Sequence, residues 1–206
     1  MDGKTPEVVV IVDVQADFTE VRNGSLSVPG TDQSYVDEVT ARTRTFKDKG
    51  FPIVATADHH PADHVSFFTN HPGAKPFDVK RIGDVEQVLW PPHCVQGTPG
   101  ADLLVPEDLV TRVVRKGIHK DHDSYSGFRD DSGNETGLKS ILQDMGATRL
   151  IVYGLATDVC VKHTVLHALE EGFDVDVVLS LCRGITPDGT DAAVEEMTQK
   201  GAAMAE

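Results

Sequence analysis

The run Glu7-Val8-Val9-Val10-Ile11-Val12-Asp13 narrows the choice of fold more than any other stretch of this chain. Its five consecutive β-branched residues favour an extended strand. The run does not alternate apolar with polar, so both faces of that strand must be covered, as in a parallel sheet clad by helices on each side. Similar runs recur at Pro52–Ala57, Val110–Arg115, Arg149–Leu155 and Phe173–Ser180. Between them lie helical patterns. Tyr35, Val39, Arg42 and Phe46 stand at helical spacing, with Thr31 and Asp32 as caps and Gly50 as the stop. Thr136–Met145, Asp158–Glu171 (closed by Gly172) and Asp188–Lys200 supply three more. Strand and helix in alternation predict an α/β fold, a three-layer α/β/α sandwich around a mostly parallel, doubly wound sheet of Rossmann-like type.

A length of 206 residues suffices for one hydrophobic core, and neither a linker nor an internal repeat interrupts it, so residues 1–206 read as one domain. Residues 61–100, rich in Gly and Pro, are too long for a simple crossover and are expected to fold over the sheet edge as a wall of the active site. The formal charge of -14, from 19 Lys and Arg against 33 Asp and Glu, makes nucleic acid and anionic lipid poor partners. The apolar runs Val8–Val12 and Leu150–Val152 are far shorter than the ~20 residues of a membrane span. The first residues lack the basic segment and cleavage site of a secretory signal, and the expected location is cytoplasmic. The chain is compatible with a homo-oligomer.

Ligands of doubly wound sheets bind beyond the carboxyl ends of the strands. Asp13 ends the first strand, Asp58 and His60 the second and Lys116 the third, and Cys160 follows the fourth by one turn. Cys160 lies in GLATDVCVKHT, a strand-turn-helix elbow of the kind that holds nucleophiles, where helix amides and the Lys116 ammonium would favour the thiolate. The amides of Ala156 and Cys160 are candidates for an oxyanion hole, and Asp13 is placed to carry the proton that a departing amine needs. The other two cysteines, Cys94 and Cys182, offer no comparable setting, although Cys94 adjoins His93.

Histidines cluster in DHHPADH. Asp58 and His60, two apart in an extended chain, can converge on one ion, and His93, stiffened by Pro91 and Pro92, is the best third ligand. His64 is either a fourth ligand or a supporting residue. Asp plus two His suits one divalent ion, zinc first, with iron and manganese as alternatives; no organic cofactor is called for.

Taken together, DVQADF at Asp13, DHHPADHVSF at Asp58, WPPHCVQGTPG at Trp90, KG at Lys116 followed by DSYSGF, and GLATDVCV resemble the nicotinamidase/pyrazinamidase family of isochorismatase-like hydrolases. The likeness runs from about Val8 to Arg183, in the family's order. It implies a catalytic triad of Asp13, Lys116 and Cys160, a metal at Asp58, His60 and His93 that binds the pyridine nitrogen, and a cis peptide at Leu155-Ala156. It also implies substrate contacts from Leu155 and from aromatic walls at Phe18, Trp90 and Tyr125. The implied reaction is hydrolysis of nicotinamide to nicotinate and ammonia through a thioester in NAD salvage, with pyrazinamide as a side substrate. The rival is a metal-free hydrolase of the same superfamily acting on isochorismate or an N-carbamoyl compound. Ala16 replaces the usual asparagine, and His59 replaces the usual aromatic residue between the metal Asp and His, which leaves His59 as a competitor for the place of His60.

Overall fold

Residues 6–205 are described by the structure, a computed structural model, and the run Val8–Val12 lies at its centre, at most 1% exposed. Along the chain come β1 (Glu7–Val12), α1 (Gln33–Asp48), β2 (Ile53–Asp58), β3 (Val79–Ile82), β4 (Val85–Val88), β5 (Arg112–Lys116), α2 (Leu138–Asp144) and β6 (Arg149–Leu155). After these come α3 (Lys162–Glu170), β7 (Asp174–Arg183), α4 (Pro187–Gln199) and β8 (Ala203–Ala205). Six strands form one sheet in the order β5-β2-β1-β6-β7-β8, and every pairing in it is parallel. Numbered among themselves, these strands follow the order 3-2-1-4-5-6 of dinucleotide-binding folds, so the topological switch lies between β1 and β6. A crevice opens there. Asp13 follows one of these two strands and the Cys160 elbow follows the other.

The helix α1 begins at Asp32, whose carboxylate accepts the Tyr35 amide at 3.1 Å. Tyr35, Val36, Val39 and Thr43 form its buried face. The sequence pattern put Arg42 on that stripe, but Arg42 is exposed and Thr43 takes the inward position, its hydroxyl satisfied by Val39 O at 2.7 Å and Tyr153 Oη at 2.8 Å. A buried hydroxyl with two partners costs little, whereas a guanidinium facing the apolar sheet would lose its hydration.

Four local features add to the sequence reading or depart from it. β7 runs on to Arg183 and is followed, after α4, by the short edge strand β8. Part of the segment 61–100 folds as the antiparallel hairpin β3–β4. No α-helix lies between β2 and β5, so this crossover is built from 3-10 turns and the hairpin. Finally, the expected helix over Asp158–Glu171 is divided, because Thr157–Val161 form a π turn and regular α3 starts only at Lys162. Single π turns inside helices gather at functional sites. Among the described residues no helix is long and apolar enough to cross a membrane.

Gly154 sets the closest approach in the sheet. It pairs with Val12 across the β1–β6 junction at φ +132°, and a Cβ there would lie 2.0 Å from the Val12 carbonyl oxygen. The two strands that flank the switch could not keep their register around a side chain. Gly154→Ala is therefore expected to destabilise the fold by at least about 2 kcal/mol in urea unfolding, since overpacked, wrongly twisted positions carry costs of that order. An unchanged unfolding midpoint would contradict the close approach.

Candidate active site

The carboxyl ends of β1, β2 and β5 carry Asp13, Asp58 and Lys116, and the parallel register makes Asp58 and Lys116 direct cross-strand partners. All three are buried, Lys116 and Asp13 almost completely. The Lys116 ammonium lies 2.9 Å from Asp13 Oδ2 and 2.5 Å from Asp58 Oδ1; it also donates to Ser124 O at 2.8 Å and reaches Cys160 Sγ at 3.5 Å. Asp13 adopts φ +49°, donates its amide to Thr56 O and accepts the Thr56 hydroxyl on Oδ1 at 2.6 Å. One oxygen of each carboxylate and the thiol sulfur lie within 4.8 Å of one another around the ammonium.

Burial pushes the Asp13 carboxyl up, Lys116 pulls it back and Asp58 adds to the rise, with a net shift upward. Burial would raise Asp58 too, but Lys116 and His60 outweigh it and hold that carboxyl well below the usual range. Lys116 is itself held well above an ordinary lysine: burial opposes the charge, and the two carboxylates more than offset burial. For Cys160, burial dominates and raises the thiol, Lys116 opposes, and Asp13 and Asp58 reinforce the rise. The sequence reading expected a thiolate favoured by helix amides. Here burial favours the protonated thiol, next to a carboxylate whose own proton affinity is increased.

Cys160 sits within the π turn that follows the Leu155-Ala156 peptide, which is cis. The Ala156 carbonyl accepts the amides of Val159 and Val161 at 3.0 and 3.1 Å, and the Asp158 carboxylate accepts those of Ile185 and Thr186 at 3.0 and 3.2 Å. The elbow is thereby tied to the loop before α4. Leu155 departs from expectation: it is fully buried and does not border the cavity, because as the last residue of β6 its side chain enters the core. Ala156 borders the cavity instead.

A second group stands beside the first. His60 Nε2 is 3.4 Å and His93 Nε2 3.8 Å from Asp58 Oδ2, and donor atoms from the three residues lie within 4.8 Å of one another. His60 Nδ1 is 2.9 Å from Gly117 O and His93 Nδ1 is 2.8 Å from Pro91 O. A carbonyl can only accept, so each Nδ1 carries hydrogen and each Nε2 is the atom turned towards the carboxylate, an orientation typical of metal-binding imidazoles. Burial lowers the His93 pKa to about 4, which keeps that ring neutral. At His60 burial is outweighed by Asp58, which attracts a proton that a divalent cation would replace. Gly117 is indispensable here: at φ +63°, a Cβ would lie 2.2 Å from His60 Cε1. This donor set fits one divalent metal ion.

His64 is not brought into this group. Its Nδ1 lies 2.7 Å from Ser66 Oγ, its Nε2 donates to His122 O at 3.1 Å, and with His60 and Asp123 it forms a separate set of donor atoms within 4.8 Å of one another. His59, half-buried, borders a different groove on the β2–β5 face. Cys94 is buried, and burial together with nearby carboxylates raises its thiol well above normal. Cys182 is pushed up to about 12 by burial.

Phe18, Trp90 and Tyr125 border one cavity with Asp58, His93, Cys160 and Ala156. Trp90 Nε1 donates to Tyr125 Oη at 3.1 Å, and the Phe18 ring lies 5.3 Å from that of His93. Asp13, Lys116 and His60 stand behind this wall and do not line it. Sequence reasoning missed Leu26, Val28, Asp123, Val159 and Ile185 in the lining, and Phe67, whose ring packs 5.4 to 5.6 Å from His60, His64 and His93. Phe67, Asp123 and Val159 stand inside the motifs DHHPADHVSF, DSYSGF and GLATDVCV, which could have pointed to them, whereas Leu26, Val28 and Ile185 lie on irregular segments that no spacing rule marks.

Comparison with known proteins gives a consistent picture. The family model of the isochorismatase domain matches residues 7–206. A nicotinamidase of Acinetobacter baylyi is 39% identical over 197 residues, covering 94% of this chain and 89% of that protein. The solved structure of an Acinetobacter baumanii nicotinamidase/pyrazinamidase superposes with a TM-score of 0.90 at 34% identity, covering 100% of this chain and 98% of the other. The pyrazinamidase of Pyrococcus horikoshii, solved in complex with zinc, gives 0.80 at 36% identity over 98% of this chain and 99% of that one.

The charge cluster generates a stability prediction. Lys116→Met leaves two buried carboxylates without a cation and is expected to cost about 3–5 kcal/mol at pH 7. The contribution of Asp13, raised in the fold, is present at low pH and lost as pH rises through its raised value; that of Asp58, depressed, is lost as pH falls towards its depressed value. Removing the ammonium moves both upward, so the deficit should narrow as pH drops from 7 towards about 4. Denaturation curves giving a pH-independent deficit would contradict this pairing.

Proposed function

The chain belongs to the isochorismatase family, and we propose from this premise and the cavity's chemistry that it is a nicotinamidase, hydrolysing nicotinamide to nicotinate and ammonia. The observation that carries the reading is the meeting of two buried groups on one aromatic-walled cavity, a thiol in an Asp–Lys charge cluster and an Asp–His–His donor set. A flat heteroaromatic amide suits walls of Phe18, Trp90 and Tyr125. Pyrazinamide shares its shape and ring nitrogen chemistry and is the expected side substrate.

Asp58, His60 and His93 would hold the metal, and an ion bound there would supply a Lewis acid for a ring-nitrogen donor. Zinc is the first choice, since carboxylate and imidazole donors suit it and the Pyrococcus horikoshii relative was solved with zinc; iron and manganese accept the same donors. His64, with both ring nitrogens engaged, acts as a support for the cluster.

Catalysis falls to Asp13, Lys116 and Cys160. Asp13 takes the thiol proton as sulfur attacks the carboxamide carbon, and Lys116 stabilises both negative partners throughout the transfer. The amides of Ala156 and Cys160 receive the oxyanion. Asp13 returns its proton to the amine nitrogen, the C–N bond breaks and ammonia leaves a thioester on Cys160. A water molecule then gives a proton to Asp13 and its oxygen to the acyl carbon; the C–S bond breaks, and the proton goes back to sulfur. The raised Asp13 carboxyl suits a group that must hold and release a proton twice per turnover. A metal-free hydrolase of isochorismate or an N-carbamoyl compound is disfavoured by the second buried donor set, which such chemistry leaves without a task.

Cys160→Ala is expected to reduce ammonia release from nicotinamide to background while leaving the metal content of the purified protein unchanged. His93→Ala is expected to lose bound metal and raise KM, as measured by elemental analysis beside steady-state kinetics. Appreciable turnover by Cys160→Ala would remove the covalent route, and full metal retention by His93→Ala would remove that ligand.

A further inference from the structure

The first loop carries polar residues at alternate positions, Asp13, Gln15 and Asp17, and the mechanism above uses only the first. Gln15 is completely buried. Its side-chain amide lies along the main chain of Asp58: Oε1 accepts the Asp58 amide at 2.8 Å, and Nε2 donates to the Asp58 carbonyl at 2.9 Å and to Ala101 O at 3.0 Å. The contact reproduces what a neighbouring strand would offer, just where β2 ends. Two residues on, Asp17 Oδ2 accepts the Cys94 amide at 2.8 Å and Oδ1 the Ser25 amide at 3.3 Å. Cys94 follows His93 directly and has φ +47°, so this bond holds a left-handed turn beside the imidazole. Gly100 makes room for the contact, because a Cβ there would fall 2.0 Å from Asp17 Oδ2.

We propose that Gln15 and Asp17 are positioning residues of the metal site, each gripping the main chain at one ligand, Gln15 at Asp58 and Asp17 next to His93. One strand end thus carries the base of the chemistry and also sets where the metal stands relative to it. The inference rests on the assignment of Asp58, His60 and His93 as metal ligands. Asp58 has the most exacting position, since Oδ1 meets Lys116 while Oδ2 faces both imidazoles, and a small rotation of its main chain would serve one at the expense of the other. Outer partners of this kind influence metal affinity nearly as strongly as ligands do.

The test is titration of the metal-free protein with Co2+, read by its visible absorption, together with thermal unfolding of the same metal-free samples. Gln15→Glu keeps shape and the acceptor for the Asp58 amide but turns an oxygen towards two carbonyls; its Kd for Co2+ is expected to rise about 10- to 100-fold. Asp17→Ala should weaken binding comparably, and Asp17→Asn, which keeps an acceptor for the Cys94 amide, should restore most of it. Gly100→Ala, which alters no ligand, should weaken binding by displacing Asp17, and stands in if Gln15→Glu does not fold. A Co2+ affinity unchanged within about twofold in the folded Gln15→Glu or Gly100→Ala protein would overturn the proposal. His60→Ala serves as the reference: if it too binds Co2+ like the unmodified protein, the metal assignment itself falls, and the positioning role with it.

Discussion

A buried ammonium between two buried carboxylates is the interaction on which the rest of this site depends. Lys116 is 1% exposed, and its charge is tolerated inside the protein only because Asp13 and Asp58 lie within 2.9 Å of it. The sheet makes the arrangement unavoidable. β2 and β5 are parallel neighbours whose register aligns Asp58 with Lys116, and β1, on the other side of β2, delivers Asp13. Three strand ends supply three charges to one point, and a fourth, through the elbow after β6, brings the thiol within 3.5 Å.

The cluster also links two tasks. Asp58 uses one oxygen to neutralise Lys116 and turns the other towards His60 and His93, so the Asp–His–His donor set and the charge cluster beside the Cys160 sulfur share a residue. On the proposed function, ring anchoring and sulfur attack would be held at a fixed separation, which is where proximity contributes to rate. The aromatic wall of Phe18, Trp90 and Tyr125 stands in front of Asp13 and Lys116, whose burial strengthens their interaction, and burial raises the Cys160 thiol.

Much of this was legible in the sequence because parallel sheets have simple rules. Unbroken β-branched runs identify buried strands, and polar residues immediately after such runs must gather at one edge, so Asp13, Asp58, Lys116 and Cys160 could be read without coordinates. What escaped has equally physical reasons. Val79–Ile82 and Val85–Val88 are four residues each, mostly solvent-facing, and show no buried-strand pattern. Ala203–Ala205 is too short to announce a strand. The π turn at Thr157–Val161 has no periodicity to separate it from the helix it precedes. Leu155 was placed against substrate on family likeness, but the end of a central strand points its side chain into the core. Leu26, Val28 and Ile185 reach the cavity through loops, and only the folded chain reveals them.

The central claim is that Cys160 carries the acyl group of nicotinamide during turnover. It is tested most directly by acid quenching within the first turnovers and mass analysis of the peptide that contains Cys160. The account predicts one nicotinoyl group on that peptide, formed with an equal amount of released ammonia and lost on prolonged incubation once substrate is consumed. Steady ammonia release from the unmodified protein, with Cys160 unmodified at every quench time and nicotinate forming in step with ammonia from the first turnover, would contradict it.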